Sequence, residues 1–235
     1  MKYRWATATH KGRVRTNNED SVYPESSGSS NDPLLFVLAD GMGGHVAGEV
    51  ASSTAIETAT ERPGTVEERI LAANEAILAK VSDDPRLAGM GTTITMLEVG
   101  PDGTGRFGHV GDSRAYLFRA GRLEQVTIDH TIVTEYLKAG KITREQAADH
   151  PQRNMLTRAL GLIPDVEVDV FERDLERGDR VLLCSDGVSD WIPESSIAEV
   201  LGSGSTAEEA VWELVERANR AGGGDNITAL VLDID

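Results

Sequence analysis

Short apolar runs rich in β-formers recur along the chain at residues 34–38, 92–99, 106–110, 115–118, 180–184 and 227–232, each bounded by turn residues. Two connections carry hairpin chemistry, Pro101-Asp102-Gly103 and Ala120-Gly121-Arg122, the second leading into residues 123–126, so much of the sheet is expected to be antiparallel. Helical signals lie apart from these runs. Thr65 with Glu68, Thr143 with Gln146 and Thr206 with Glu209 have the spacing of capping boxes, in which hydroxyl and side-chain carbonyl satisfy each other's backbone donors. After the first, Val66, Ile70, Ala73, Ile77 and Val81 repeat at helical spacing; after the third, Ala210, Val211, Leu214, Val215 and Ala218 do so. A further helix of small residues is expected at about 47–60. Because strands and helices do not alternate as βαβ, an α+β arrangement of helices layered on antiparallel sheet follows, not a doubly wound parallel sheet. Residues 129–164 are more polar, with few candidates for sheet pairing, and read as a small excursion from the main body.

A chain of 235 residues can bury a sizeable core, and its Gly/Ser/Pro-rich loops are short, so one domain spanning 1–235 is expected. The balance of 39 acidic to 23 basic residues, a formal charge of -16, would repel a nucleic-acid backbone or an anionic membrane face. Cys184, the single cysteine, sits in an apolar run and reads as a buried, inert thiol suited to a reducing compartment. The N-terminal residues hold no apolar h-region, and the run 34–39 is too short to cross a bilayer, so a cytoplasmic protein is expected.

The candidate chemistry lies in carboxylates at strand ends. Asp40 follows an apolar run and precedes Gly41, Gly43 and Gly44; Asp186 repeats the arrangement before Gly187; Asp225 introduces the run at 227–232. Taken singly, Asp-Gly is a common turn dipeptide, and Asp102-Gly103 reads as a turn and nothing more. Jointly, and with Gly111-Asp112-Ser113-Arg114 and Asp190, the carboxylates could converge on one rim, where their repulsion calls for cations between them. An oxygen-only ligand set favours Mg²⁺ or Mn²⁺, and the five scattered histidines form no zinc cluster. Arg15, five residues before Asp20, carries a guanidinium able to grip two phosphate oxygens.

Read in order, residues 15–20, Asp40-Gly41-Met42-Gly43-Gly44-His45, Gly91-Thr92-Thr93, Gly111-Asp112-Ser113-Arg114, Ser185-Asp186-Gly187 and Gly224-Asp225-Asn226 resemble the ordered motifs of the metal-dependent type 2C serine/threonine protein phosphatases. The Asp-Gly-Met-Gly-Gly-His form and His150-Pro151-Gln152-Arg153 indicate the bacterial branch. The resemblance implies a four-layer α-β-β-α sandwich, two antiparallel sheets flanked by helices, with residues 129–164 as a flap. It implies two Mg²⁺ or Mn²⁺ ions: Asp40 bridges them, the Gly41 carbonyl joins one, Asp186 and Asp225 complete the set, and Asp20 binds or orients a metal water. Asp112 and Asp190, with Asp186, match a third, weaker metal site, and Arg15 matches the phosphate-binding arginine.

The reaction so implied is hydrolysis of phosphoserine and phosphothreonine by a metal-bridging water, with no covalent phosphoenzyme. Phosphorylated proteins, a serine/threonine kinase among them, are the implied partners, and a monomer is expected. Met42 stands where animal members carry a histidine proposed as general acid; His45 is near in sequence, and a metal-bound water is the alternative donor. Two other readings are a pseudophosphatase that binds phosphoproteins without turnover and a metal-dependent phosphodiesterase or nuclease built on similar carboxylates.

Overall fold

The computed structural model describes residues 1–43 and 47–235, so His45 lies outside the described residues. Elements are numbered in chain order. One sheet runs β3 (Gly28–Ser30), β1 (Tyr3–His10), β12 (Ile227–Ile234), β11 (Arg180–Cys184), β8 (Arg114–Arg119), β9 (Arg122–Gln125). The other runs β10 (Asp169–Asp174), β7 (Thr104–Val110), β6 (Ile94–Val99), β4 (Leu34–Met42), β2 (Asp20–Tyr23), with β5 (Gly91–Thr92) on the end of β4. Every strand pairing is antiparallel.

The period-2 alternation of the central strands builds three apolar layers. Phe36 and Leu38 of β4 meet Val181 and Leu183 of β11 and Leu230 and Leu232 of β12 between the sheets. On its opposite face β4 turns Val37 and Ala39 toward α1 (Ala47–Glu61) and α2 (Val66–Asp83), where Ala51, Ala55, Ile70 and Ile77 are fully buried. Leu182, Ala229 and Val231 face the other way, onto α5 (Asp186–Ser189), α6 (Glu194–Gly202) and α7 (Ala207–Ala221). The result is the four-layer sandwich of two antiparallel sheets flanked by helices. Each buried Leu or Phe contributes about 1.5–3 kcal/mol relative to exposure, so both faces of each sheet are needed to hold it.

All three capping boxes form, with Thr65, Thr143 and Thr206 each bonded reciprocally to Glu68, Gln146 and Glu209. The β6–β7 hairpin closes through Gly103 at φ 84°, and in the β8–β9 turn Ala120 (φ 48°) and Gly121 (φ 79°) are both left-handed, the type I′ geometry that matches strand twist. Residues 129–164 contribute no strand to either sheet; they hold α3 (Ile132–Lys138) and α4 (Arg144–Ala148). No helix among the described residues is long and apolar enough to cross a membrane.

Candidate metal centre

Antiparallel pairing brings the carboxylates together at one end of the sandwich. Asp20, the first residue of β2, is the cross-strand partner of Asp40 in β4. The pairing of Cys184 with Ala229 aligns the end of β11 with the start of β12, so Asp186, opening α5, and Asp225, in the turn before β12, share that rim. Asp112 lies in the β7–β8 turn that crosses from one sheet to the other, and Arg15 in the β1–β2 loop. Asp40 does not end its strand: β4 continues through Gly41 and Met42, paired with β5.

A cleft of about 350 Å³ is walled by Arg15, Asp40, Gly41, Asp112, Asp186 and Asp225, with Met42 and Asn154 beside them. Asp190 is not in that wall. It lines an adjoining chamber of about 790 Å³ between α3, α4 and the sandwich, which Asp112, Asp186 and Asn154 also face. Asp20 stands behind the cleft, 9% exposed; its Oδ2 accepts from Ser185 Oγ (2.9 Å) and Thr228 Oγ1 (2.6 Å), while its Oδ1 has no hydrogen-bond partner among the described residues.

The backbone around these groups is held by side chains that carried no role in the sequence motifs. The Asp40 N–H donates to Thr93 Oγ1 (3.0 Å), and its carbonyl accepts from Thr93 N (2.9 Å) and Thr92 Oγ1 (2.9 Å). Asn226 Oδ1 accepts from Glu19 N (2.7 Å) and its Nδ2 donates to Lys11 O (3.1 Å) and Asn17 O (2.8 Å), which folds the β1–β2 loop over the rim. Arg15 Nη2 then reaches Asp225 Oδ2 at 2.7 Å. Ser185 and Asn226 were legible only as neighbours of the motif carboxylates and Thr93 only as part of its motif, while Thr228 and Asn154 carried no signal, because a lone hydroxyl or amide has no spacing of its own.

The glycines following the aspartates have a reason other than letting a carbonyl approach a cation. A Cβ on Gly41 would collide with the Gly48 carbonyl oxygen, and one on Gly187 with the Asn226 carbonyl oxygen. The elements bearing the carboxylates approach each other backbone to backbone, which only glycine permits.

Asp20, Asp40, Asp112, Asp186 and Asp190 are each pushed toward the neutral form. Burial raises Asp40 well above the usual carboxylate range, and Asp20, Asp186, Asp112 and Asp225 raise it further. Asp186 is raised likewise, by burial and then by Asp112, Asp190 and Asp225. Asp20 is pushed up to about 6, chiefly by burial, and Asp112 up to about 7 by burial with Asp129 and Asp190. Asp190 is raised by burial, against the opposing bond from Asn154. Cations between these groups would reverse the cost.

The residues present fit hard divalent ions. The donors are all oxygen, and Asp186 Oδ1 and Asp20 Oδ1 are buried without partners among the described residues. Among the described residues no three His, Cys, Asp or Glu side chains gather tightly enough to hold one ion alone. Mg²⁺-like ions keep several waters and take one or two carboxylates, so a looser rim is what they require. The Cys184 thiol, fully buried, is raised to about 12 by burial and is no nucleophile at neutral pH.

The model of the family described as protein phosphatase 2C matches residues 8–223. The serine/threonine protein phosphatase PstP of Mycobacterium tuberculosis is 43% identical over 98% of this chain, which spans 45% of that relative, about half its length. The serine/threonine phosphatase stp of Listeria monocytogenes is 38% identical over 97% of this chain and 94% of its own length. A solved catalytic domain of PstP, in complex with two manganese ions, superposes with a TM-score of 0.87 and 40% identity, over 100% of this chain and 99% of that one.

Proposed function

Because the chain belongs to the protein phosphatase 2C family, we propose that it hydrolyses phosphoserine and phosphothreonine on proteins, with two Mg²⁺ or Mn²⁺ ions held by Asp40, the Gly41 carbonyl, Asp186 and Asp225. The convergence of Arg15, Asp40, Gly41, Asp112, Asp186 and Asp225 on one cleft carries this assignment. The manganese pair in the solved PstP domain supports the choice of ion. Bound there, the ions would supply Lewis acidity to activate water and to offset charge on the phosphoryl group.

The chain's own residues do the rest. Arg15, on the cleft wall and paired with Asp225, is placed to exchange that carboxylate for phosphoryl oxygens when substrate enters. Asp20, held by Ser185 and Thr228, presents its free Oδ1 as an acceptor that orients a water behind Asp40. Asp112 and Asp190, with Asp186, edge the adjoining chamber and would hold a weaker third ion. No histidine stands among the described residues that wall the cleft; His45, the proton-donor candidate in the sequence, lies outside them.

Residues 1–235 form one domain with 129–164 as its flap, a monomer acting in the cytoplasm on phosphorylated proteins, a serine/threonine kinase among them. The decisive experiment measures phosphate release from a phosphothreonine peptide with Mn²⁺ and again with chelator, beside a phosphodiester. Metal-dependent release from the monoester is expected. Binding of the peptide without turnover would replace the enzyme with a phosphoprotein-binding module.

A further inference from the structure

The flap leaves the sandwich after β9 and returns before β10, and its two stems meet at one buried residue. His130, 1% exposed, lies in the outgoing stem; its carbonyl accepts from Thr157 N of the returning stem at 2.8 Å, and Thr131 bridges Leu156 beside it. His130 also grips the β7–β8 turn twice. Its N–H donates to Gly111 O (2.7 Å), and its Nδ1 accepts from Gly111 N (3.1 Å). With Nδ1 an acceptor, the ring proton stands on Nε2, which faces Asp169 Oδ2 at 3.2 Å at the start of β10. Asp169 Oδ1 accepts from Arg158 Nη1 (2.8 Å), and Arg158 Nη2 meets Glu167 at 2.9 Å. Outgoing stem, returning stem, β7–β8 turn and β10 are thus joined at one residue: its backbone ties the stems together and, with Nδ1, holds the turn, while Nε2 meets Asp169 and lies 3.3 Å from Arg158 Nη1.

The turn it grips is fixed without it. Ser113 Oγ shares a hydrogen bond with Thr93 Oγ1 (2.8 Å), Thr95 Oγ1 donates to Ser113 O (3.1 Å), and Gly111 lies so close to Thr93 that a Cβ would strike its side chain. What His130 adds is anchorage of the flap to a rigid post. The flap is also tied to the body at its base, by Asp129 with Arg114 (2.6 Å), Leu160 with Thr92 and Gly161 N with Asn74 Oδ1 (2.7 Å), and near its tip by Asn154 Nδ2 with Asp190 Oδ2 (2.8 Å), an exposed contact.

We propose that His130 is a positioning residue that sets the height of α3 and α4 over the chamber between flap and sandwich, and so decides how well an extended phosphopeptide is held compared with a small phosphate ester. The substrate side of this rests on the phosphatase assignment; the clasp itself can be read without turnover.

The test uses the full chain with Mn²⁺ and compares wild type with His130→Phe, His130→Asn and Asp169→Asn. Losing the ring's bonds should lower kcat/KM for a phosphothreonine peptide by about tenfold or more, chiefly through KM, and move p-nitrophenyl phosphate by less than about threefold. In His130→Asn, Oδ1 lies as many bonds from Cα as Nδ1 does, so the Gly111 bond and most of the peptide activity should return. Hydrogen exchange of the amides in 131–156 should accelerate in His130→Phe while β4, β11 and β12 keep their protection. Equal losses on both substrates without rescue by Asn, or exchange in 131–156 at the wild-type rate, would overturn the proposal. Should His130→Phe fail to fold, Asp169→Asn carries the same exchange comparison, with the same acceleration expected. Absence of turnover in wild type would sink the phosphatase assignment and leave exchange alone to decide the clasp.

Discussion

Asp40 is costly to the protein that carries it: buried, faced by Asp20 across the strand pair and by Asp186, Asp112 and Asp225, it is driven toward protonation. Asp40→Asn keeps the shape and removes the charge. It should cost more than the roughly 10–100-fold lost with an outer-shell metal partner, while raising the unfolding temperature measured in chelator, because the repulsion is relieved. A variant with wild-type turnover, or one less stable than wild type in chelator, contradicts the assignment. Arg15 behaves differently, since its partner Asp225 is itself a proposed ligand. Arg15→Ala should raise KM about 10- to 100-fold, the worth of one charge-assisted bond, and leave Mn²⁺ affinity equal or tighter because a competitor for Asp225 is gone. Weakened Mn²⁺ binding with unchanged KM, from parallel titrations and steady-state kinetics, would refute this. The identities of these residues were legible in the sequence as ordered motifs. Their unequal placement was not: that Asp20 sits behind the cleft and Asp190 in the next chamber depends on which face of β2 and which turn past α5 they occupy.

At the scale of elements, legibility followed signal strength. The strands that are apolar on both faces, β4, β11 and β12, and the helices opened by capping boxes stood out because burial on two sides and reciprocal caps both leave dense local patterns. β1 did not, since the residues it turns toward α7 are Ala6 and Ala8, whose small side chains give no β signal. α6 is preceded by Pro193, which offers no side-chain cap, and β10 is an edge strand of alternating half-buried and exposed residues. Nor did the motif glycines disclose their purpose, because a backbone contact between α5 and the turn before β12 is visible only in three dimensions. Gly187→Ala tests that contact. Its methyl would meet the Asn226 carbonyl, so α5 and the Asp225 turn must separate, at about 1–3 kcal/mol in denaturant unfolding, with Mn²⁺ affinity falling in the same variant. Unchanged affinity would mean that the rim tolerates the shift and that the glycine serves local conformation alone.

Across the whole molecule the formal charge of -16 and the buried carboxylate group act together, and metal at the proposed site would relieve them. Asp20 and Asp112, raised to about 6 and about 7, bind protons in the folded state that they release on unfolding to their ordinary range. Their contribution to stability is therefore fully present below that ordinary range and is lost as pH rises through about 6 to 7. Asp40 and Asp186, also raised, act with the same sign. His109 acts with the opposite sign: burial first, then His130, lowers it to about 4, so its contribution is present above the ordinary histidine value and is lost as pH falls toward 4. The two effects can be separated because none of the proposed metal ligands is among the groups that shift His109, so its contribution should cancel in a difference. The stability gained on adding saturating Mn²⁺, measured as unfolding free energy with metal minus that with chelator, should grow from pH 5 to pH 8 by on the order of a few kcal/mol, as binding displaces protons from the carboxylates. In Asp40→Asn the slope should be shallower, since one displaceable proton is gone. A difference that stays flat across this range would mean that the carboxylates are already ionised in the metal-free fold, and that their repulsion is carried by solvent or by Arg15 instead of by metal.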